Sequence, residues 1–252
     1  MHESNSSVGK ARTMDKNRRE LLTKAGAAGL GLLATSCAAL ERRSPQPVQP
    51  AVQGPAVQVL YGPTPLEEMM REHGVVNRLL LVFDELVHKI REDQKAPVGM
   101  FTNASNLVDE FVGNYHERLE EKHIFPAFRK GGRMVELVEI LNMQHTRGRR
   151  IAAEAYELAG SGDPTREPQR SRLISAYRKY TFMYRAHVAR EDSVLFPALW
   201  QVMDGTEMRD LEERLKEEER RQFGGGGLDK VIETVADMER ELDIHYLSRL
   251  TP

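Results

Sequence analysis

A single cysteine in 252 residues excludes intramolecular disulfides, paired-cysteine redox centres and thiolate zinc fingers. An excess of charge of one sign is missing too. The 36 lysines and arginines against 38 aspartates and glutamates leave a formal net charge of −2. Phosphate contacts would want a basic excess, so nucleic-acid binding is not expected. No run of about 18 apolar residues occurs, which excludes a mature transmembrane helix. The apolar share is 40%, or about 45% with glycine counted and tyrosine left out, the low edge for a globular chain, as expected where a normal core carries a tail or linker. The length exceeds what one small domain needs and falls short of two large ones.

The amino-terminal tail reads as an address. Arg18 and Arg19, with Leu21, Leu22 and Lys24, precede a weakly apolar stretch over 25–34, which ends in Thr35, Ser36 and Cys37. A charged start, a short apolar stretch and small residues after it make an export signal over 1–40, too short to span a membrane. The arginine pair resembles a twin-arginine signal. Residues 33–37 resemble a lipobox, which makes Cys37 a lipidation candidate; an amphipathic leader with a free thiol is the plainer alternative. Met1 and Met14 are both candidate starts. The protein is therefore expected to be exported, periplasmic or in the cell envelope, with membrane attachment only through a lipid on Cys37. Residues 41–63 carry Pro45, Pro47, Pro50, Pro55 and Pro63, whose fixed backbone angles predict an extended spacer.

From Thr64 the pattern is helical almost to the end. Thr64-Pro65-Leu66-Glu67 carries a capping residue, a proline in the first turn and glutamate at N3, the marks of a helix start. Leu66, Met69, Met70, His73, Val76, Leu80, Phe83 and Val87 recur at three and four, predicting an amphipathic helix to about residue 93. Pro97 and Gly99 are expected to break it. Further helices are predicted over about 103–123, 133–159 and from 167 past 189, punctuated by Pro126, Gly131-Gly132 and Gly160–Pro164. No alternating strand pattern appears. The fold class is therefore all-α: an up-down-up-down four-helix bundle over 64–202. A C-terminal helical extension over 203–252 follows. Its first helix, about 206–221, is rich in Glu and Arg and reads as a solvated strap; its second, about 228–244, is amphipathic.

The chemistry lies in an internal repeat. His116-Glu-Arg-Leu-Glu120-Glu121-Lys-His-Ile-Phe125-Pro126-Ala127 aligns without a gap on His187-Val-Ala-Arg-Glu191-Asp192-Ser-Val-Leu-Phe196-Pro197-Ala198. Each copy follows a helix bearing one histidine in its apolar stripe, His73 or His145. With only 8 histidines, 8 phenylalanines and 12 prolines in the chain, a chance register of all three is improbable. The halves look like one helix pair duplicated about a pseudo-twofold axis.

Residues four apart on a helix share a face, roughly 6 Å apart along the axis. Two H-x-x-x-E helices and two single histidines therefore aim four imidazoles and two carboxylates at one region of the core. Two bare buried glutamates would need protonation or a cation. Two divalent metals bridged by both carboxylates, with two histidines each, resolve this and leave coordination positions for a solvent bridge and an external ligand. Nitrogen and oxygen donors without thiolate suit iron or manganese, with zinc as a further choice. The plainer alternatives are satisfied core histidines and intrahelical polar pairs.

These residues resemble the hemerythrin family, specifically bacterial HHE cation-binding domains, over about 64–200. The resemblance implies a four-helix bundle holding an oxo- or hydroxo-bridged diiron centre that binds dioxygen or related small ligands. The ligands it implies are His73, His116, Glu120, His145, His187 and Glu191, with Glu120 and Glu191 bridging. Arg149 stands where oxygen carriers place a further histidine, and the fourth-helix carboxylate follows its histidine by four residues rather than five. Glu121 and Asp192, ~100° further round their helices, and Tyr184, one turn before His187, are candidates to support the ligands from behind. Arg147, Arg149 and Arg150 read as a solvated basic patch. The functions expected are binding of dioxygen, nitric oxide or iron for sensing or protection. The alternative is a diiron enzyme turning over peroxide or nitric oxide, acting as an oxidase or repairing iron centres. No catalytic residue beyond the metal donors is assigned, and the sequence does not specify an oligomeric state.

Overall fold

A computed structural model describes residues 63–224 and 227–251 of the chain. The export signal expected over 1–40, Cys37 within it and the spacer up to residue 62 lie outside the described residues. Among those described there is no strand, and the architecture is all-α.

Helix α1 is Pro65–Arg91. Its start is fixed by a reciprocal capping box: Thr64 Oγ1 accepts from the Glu67 amide at 3.2 Å, and the Thr64 amide donates to Glu67 Oε2 at 2.7 Å. Two otherwise orphaned donors are thereby satisfied. The predicted apolar stripe faces inward, with Met69, Val76, Leu80 and Phe83 all buried.

Helix α2 runs over 98–131. Its α-helical turns Val98–Leu107, Glu117–Leu119 and Phe125–Gly131 alternate with π-helical stretches Val108–His116 and Glu120–Ile124. The sequence placed this helix at about 103–123, too short at both ends. The expected break after α1 spans 92–97 with Pro97 at its end, in the N-cap position of α2, whereas Gly99 lies inside the first turn of α2. At the other end Pro126 does not stop the helix but widens it. Proline has no N–H to give the carbonyl four residues back, and its ring crowds that carbonyl. The chain takes one residue more per turn, and the Phe125 amide bonds to the Glu120 carbonyl, five residues back.

Helix α3 is Val135–Gly160, reached through Gly132 at φ 64°, a left-handed turn that glycine adopts without strain. Helix α4 runs over 169–201: an α-helix Gln169–Arg190, a π-turn Glu191–Leu195 and a 3₁₀ segment Phe196–Gln201. The π-turn again precedes a proline, Pro197, and again closes from the Phe196 amide to the Glu191 carbonyl. The repeat in the sequence is thus a repeat in the backbone.

The four helices form a ring in which α1 packs on α2 and α4, and α3 packs on α2 and α4. Away from the repeat, the interior is filled by aromatic rings. Phe83 stacks on Tyr177 at 4.1 Å and meets Tyr180 edge-on at 5.8 Å. The Tyr177 hydroxyl donates to the Phe101 carbonyl at 2.9 Å.

Two further helices, α5 (Gly205–Phe223) and α6 (Gly227–Glu241), pack on each other and on α1. Helix α5 is not the solvated strap its charges suggested: Met208, Leu211 and Leu215 are buried. Arg78 clamps α6 with two hydrogen bonds to Glu239, at 2.8 and 2.7 Å.

Candidate metal centre

The structure brings His73, His116, Glu120, His145, His187 and Glu191 together in the bundle interior, none more than 2% exposed. Their inward atoms form two overlapping groups, His73–His116–Glu120 and Glu120–His145–His187–Glu191. In the first, His73 Nε2 lies 3.8 Å from Glu120 Oε1 and 3.4 Å from Glu191 Oε2, and His116 Nε2 lies 3.7 Å from Glu120 Oε1. In the second, His145 Nε2 is 3.2 Å from Glu120 Oε2, and His187 Nε2 is 3.1 Å from Glu191 Oε2 and from His145 Nε2. Both glutamates therefore face both histidine pairs.

Each imidazole is held from behind through its Nδ1. His73 meets Asp192 Oδ1 at 2.7 Å and His145 meets Glu121 Oε1 at 3.2 Å, so each acidic residue following a central glutamate supports a histidine across the bundle. His116 meets Glu72 Oε2 at 2.7 Å, and His187 meets Gln144 Oε1 at 2.9 Å. An acceptor on Nδ1 fixes the tautomer and leaves Nε2 as the free donor atom pointing inward. The phenylalanines of the two F-P-A motifs form the walls: Phe196 stacks on His73 at 5.2 Å and Phe125 on His145 at 5.3 Å.

The cage encloses several polar atoms without hydrogen bonds. Both oxygens of Glu120, both of Glu191 and Nε2 of His73 are buried with no hydrogen-bond partner among the described residues. Burial, reinforced by the Glu191 charge, drives Glu120 well above the carboxylate range. Glu191 is buried too, but His187 and His73 outweigh that and hold it well below. Desolvation would lower His73; Asp192 and Glu191 together overcome it and push the imidazole up to about 9. Burial depresses His145 to about 4 and also lowers His116. Two adjacent carboxylates are thus driven apart, one towards the acid and one towards the anion, with protons doing the work of a cation. Donors each about 2.1 Å from a shared ion stand ~3 Å apart, the spacing found across the second group. The buried His/Glu cluster fits a metal site.

Arg149 is not part of a solvated patch. Its guanidinium reaches the buried Glu117 and donates to Glu121 Oε1 at 2.8 Å. The third acidic grouping, Glu117–Glu121–His145, already holds this cation. Tyr184 lies beside His187, ring centroids 5.3 Å apart, but its hydroxyl has no partner among the described residues. Sequence reasoning missed Glu72, Gln144 and Glu117. The first two stand immediately before the stripe histidines His73 and His145, so extending the repeat by one residue would have found them.

Comparison with known proteins agrees with this geometry. A family model described as the hemerythrin HHE cation binding domain matches residues 64–199, more than half of the chain. Uncharacterized proteins of Mycobacterium bovis and Mycobacterium tuberculosis are 36% identical over 186 residues, covering 74% of this chain and 73% of theirs. No solved structure matches. The chain belongs to the hemerythrin HHE cation-binding family.

Proposed function

We propose that the protein holds two iron ions between the His73–His116 and His145–His187 pairs, with Glu120 and Glu191 bridging, and binds a small ligand there for sensing or protection. The observation that carries this reading is the set of five buried, unpartnered donor atoms on Glu120, Glu191 and His73. Burying polar atoms without hydrogen bonds is unfavourable, and a cation among them would remove that cost. Four nitrogen and two carboxylate donors without sulfur favour iron or manganese, with zinc also accommodated. Six protein donors shared by two ions leave positions free, so the ions would supply redox-active Lewis-acid sites open to dioxygen, nitric oxide or incoming iron. This chain's own contribution is to hold the imidazoles in one tautomer and keep the donors out of bulk water. Donors so deeply enclosed suit a diatomic ligand better than a bulky substrate.

As part of the same proposal, this activity is located in the cell envelope, a reading supported by the signal-like arginine pair and Cys37 in the sequence. Anaerobic reduction followed by dioxygen or nitric oxide, followed by absorption, tests the binding reading. A stable spectral change that reverses when the gas is removed is the expected result. Repeated consumption of the gas or of peroxide with an added reductant would overturn it in favour of an enzyme.

A further inference from the structure

The acceptors directly behind the four imidazoles match in charge between the two halves of the centre, with one exception. Asp192 behind His73 has its counterpart in Glu121 behind His145, and both are carboxylates. Glu72 behind His116 has its counterpart in Gln144 behind His187, and there the repeat exchanges a carboxylate for a neutral amide.

The remaining contacts deepen that difference. Glu72 is fully buried, and its other oxygen accepts from the Tyr115 hydroxyl at 2.9 Å. Tyr115 is pinned in turn by Phe223 from the end of α5, edge-on at 4.8 Å. On the opposite side, the Glu121 oxygen that supports His145 also receives the Arg149 guanidinium, which draws its charge away from the imidazole. Gln144 is only half-buried. Among the described residues, the His73–His116 pair is therefore backed by two carboxylates that no guanidinium reaches. The His145–His187 pair is backed by one neutralised carboxylate and one amide.

We propose that the two cation positions are unequal: the His73–His116 position fills first and binds its ion more tightly, and Glu72 opposite Gln144 sets the difference. A carboxylate on Nδ1–H makes the imidazole a stronger donor, and loss of such a partner costs 10–100-fold in metal affinity. Glu72 thus acts as a positioning and charge-supplying residue, without touching the ion itself. The His145–His187 position is correspondingly the exchangeable one, where an ion is gained, lost or replaced. This inference rests on the two-ion reading above.

Calorimetric titration of the metal-stripped full chain with Mn(II), and anaerobically with Fe(II), provides the test. Two binding steps are expected. Glu72→Gln should weaken the first step by about 10–100-fold, and Gln144→Glu should strengthen the second by a similar factor. Circular dichroism of the stripped variants checks folding; Gln144→Glu decides alone if Glu72→Gln does not fold. If the positions are equal and merely repel each other's ions, Glu72→Gln spares the first step, because the first ion then enters the other position. That result, or a Gln144→Glu effect on the first step, overturns the inequality while leaving two ions per chain. Binding of a single ion in all three proteins overturns the two-ion reading as well.

Discussion

Each of the four inward imidazoles divides its two nitrogens between tasks: Nδ1 is fixed by an acceptor behind it and Nε2 is turned towards the central glutamates. That division makes the consequences of substitution specific. Glu120→Ala, which removes a donor from both groups, should reduce bound metal below one equivalent per chain by elemental analysis, and His187→Ala, which removes one from the second group only, should reduce it to about one. Either should also lower the melting midpoint of the metal-loaded protein, because bound ions that stabilise the folded state are lost. Undiminished metal content would contradict the donor set. Tyr184 makes the opposite case. Its hydroxyl is buried without a partner, and its ring is pressed so closely on α3 that a Cβ at Gly148 would lie 2.6 Å from it. Tyr184→Phe should therefore leave thermal stability equal or raised by up to about 1 kcal/mol, whereas Gly148→Ala should cost about 1–3 kcal/mol. A marked loss for Tyr184→Phe would show that the hydroxyl has a partner.

The residues facing the centre were legible in the sequence because four-residue spacing on a helix and duplication over two halves constrain each other. The outer contacts were less legible. Arg149 sits in a run of arginines that reads as surface charge, and only the fold sets it against the buried Glu117.

At the scale of elements, the prolines do more than punctuate. Pro126 and Pro197 follow π-turns that open on Glu120 and Glu191, so the winding that presents the central carboxylates is set by a missing N–H several residues downstream. Pattern reading expects a proline to end a helix; it does not show when the helix will absorb it by widening. That is why α2 extends to residue 131 rather than 123. Pro126→Ala restores the donor and lets α-winding return; metal affinity should then fall at least about 10-fold, by the same titration. An unchanged affinity would separate the π-turn from the site.

The C-terminal helices were legible as helices, but α5 was misread because its three buried apolar residues are outnumbered by charges. Their docking is sensitive to pH. Burial would raise Glu239, but Arg78 and His245 outweigh it and hold the carboxyl below its ordinary range. A depressed carboxylate contributes stability above its unfolded value of about 4.3, and that contribution is lost as pH falls through the folded value. Glu239→Gln should therefore cost about 1 kcal/mol at pH 7, with the gap to the parent protein closing as pH falls below about 4.3. A gap that stays constant down to pH 3 would contradict this.

For the whole molecule, a cage of unpaired donors in the middle of the bundle ties the stability of the fold to its cations. Two ions each held at about 100 times their dissociation constant would add about 5 kcal/mol. For a chain of this size that corresponds to roughly 10–20 °C in the melting midpoint. The meeting of the two helix pairs around one centre could be inferred from the repeat because each pair carries the same inward-facing histidines and glutamate. The departure from symmetry lies one residue before each stripe histidine, and its consequence shows once Glu72 and Gln144 are seen to stand behind His116 and His187.

The most direct measurement is the metal content of purified, folded, full-length protein. About two irons per chain are expected. A chain of intact helix content that binds no metal when offered Fe(II) anaerobically would contradict a cation-holding interior.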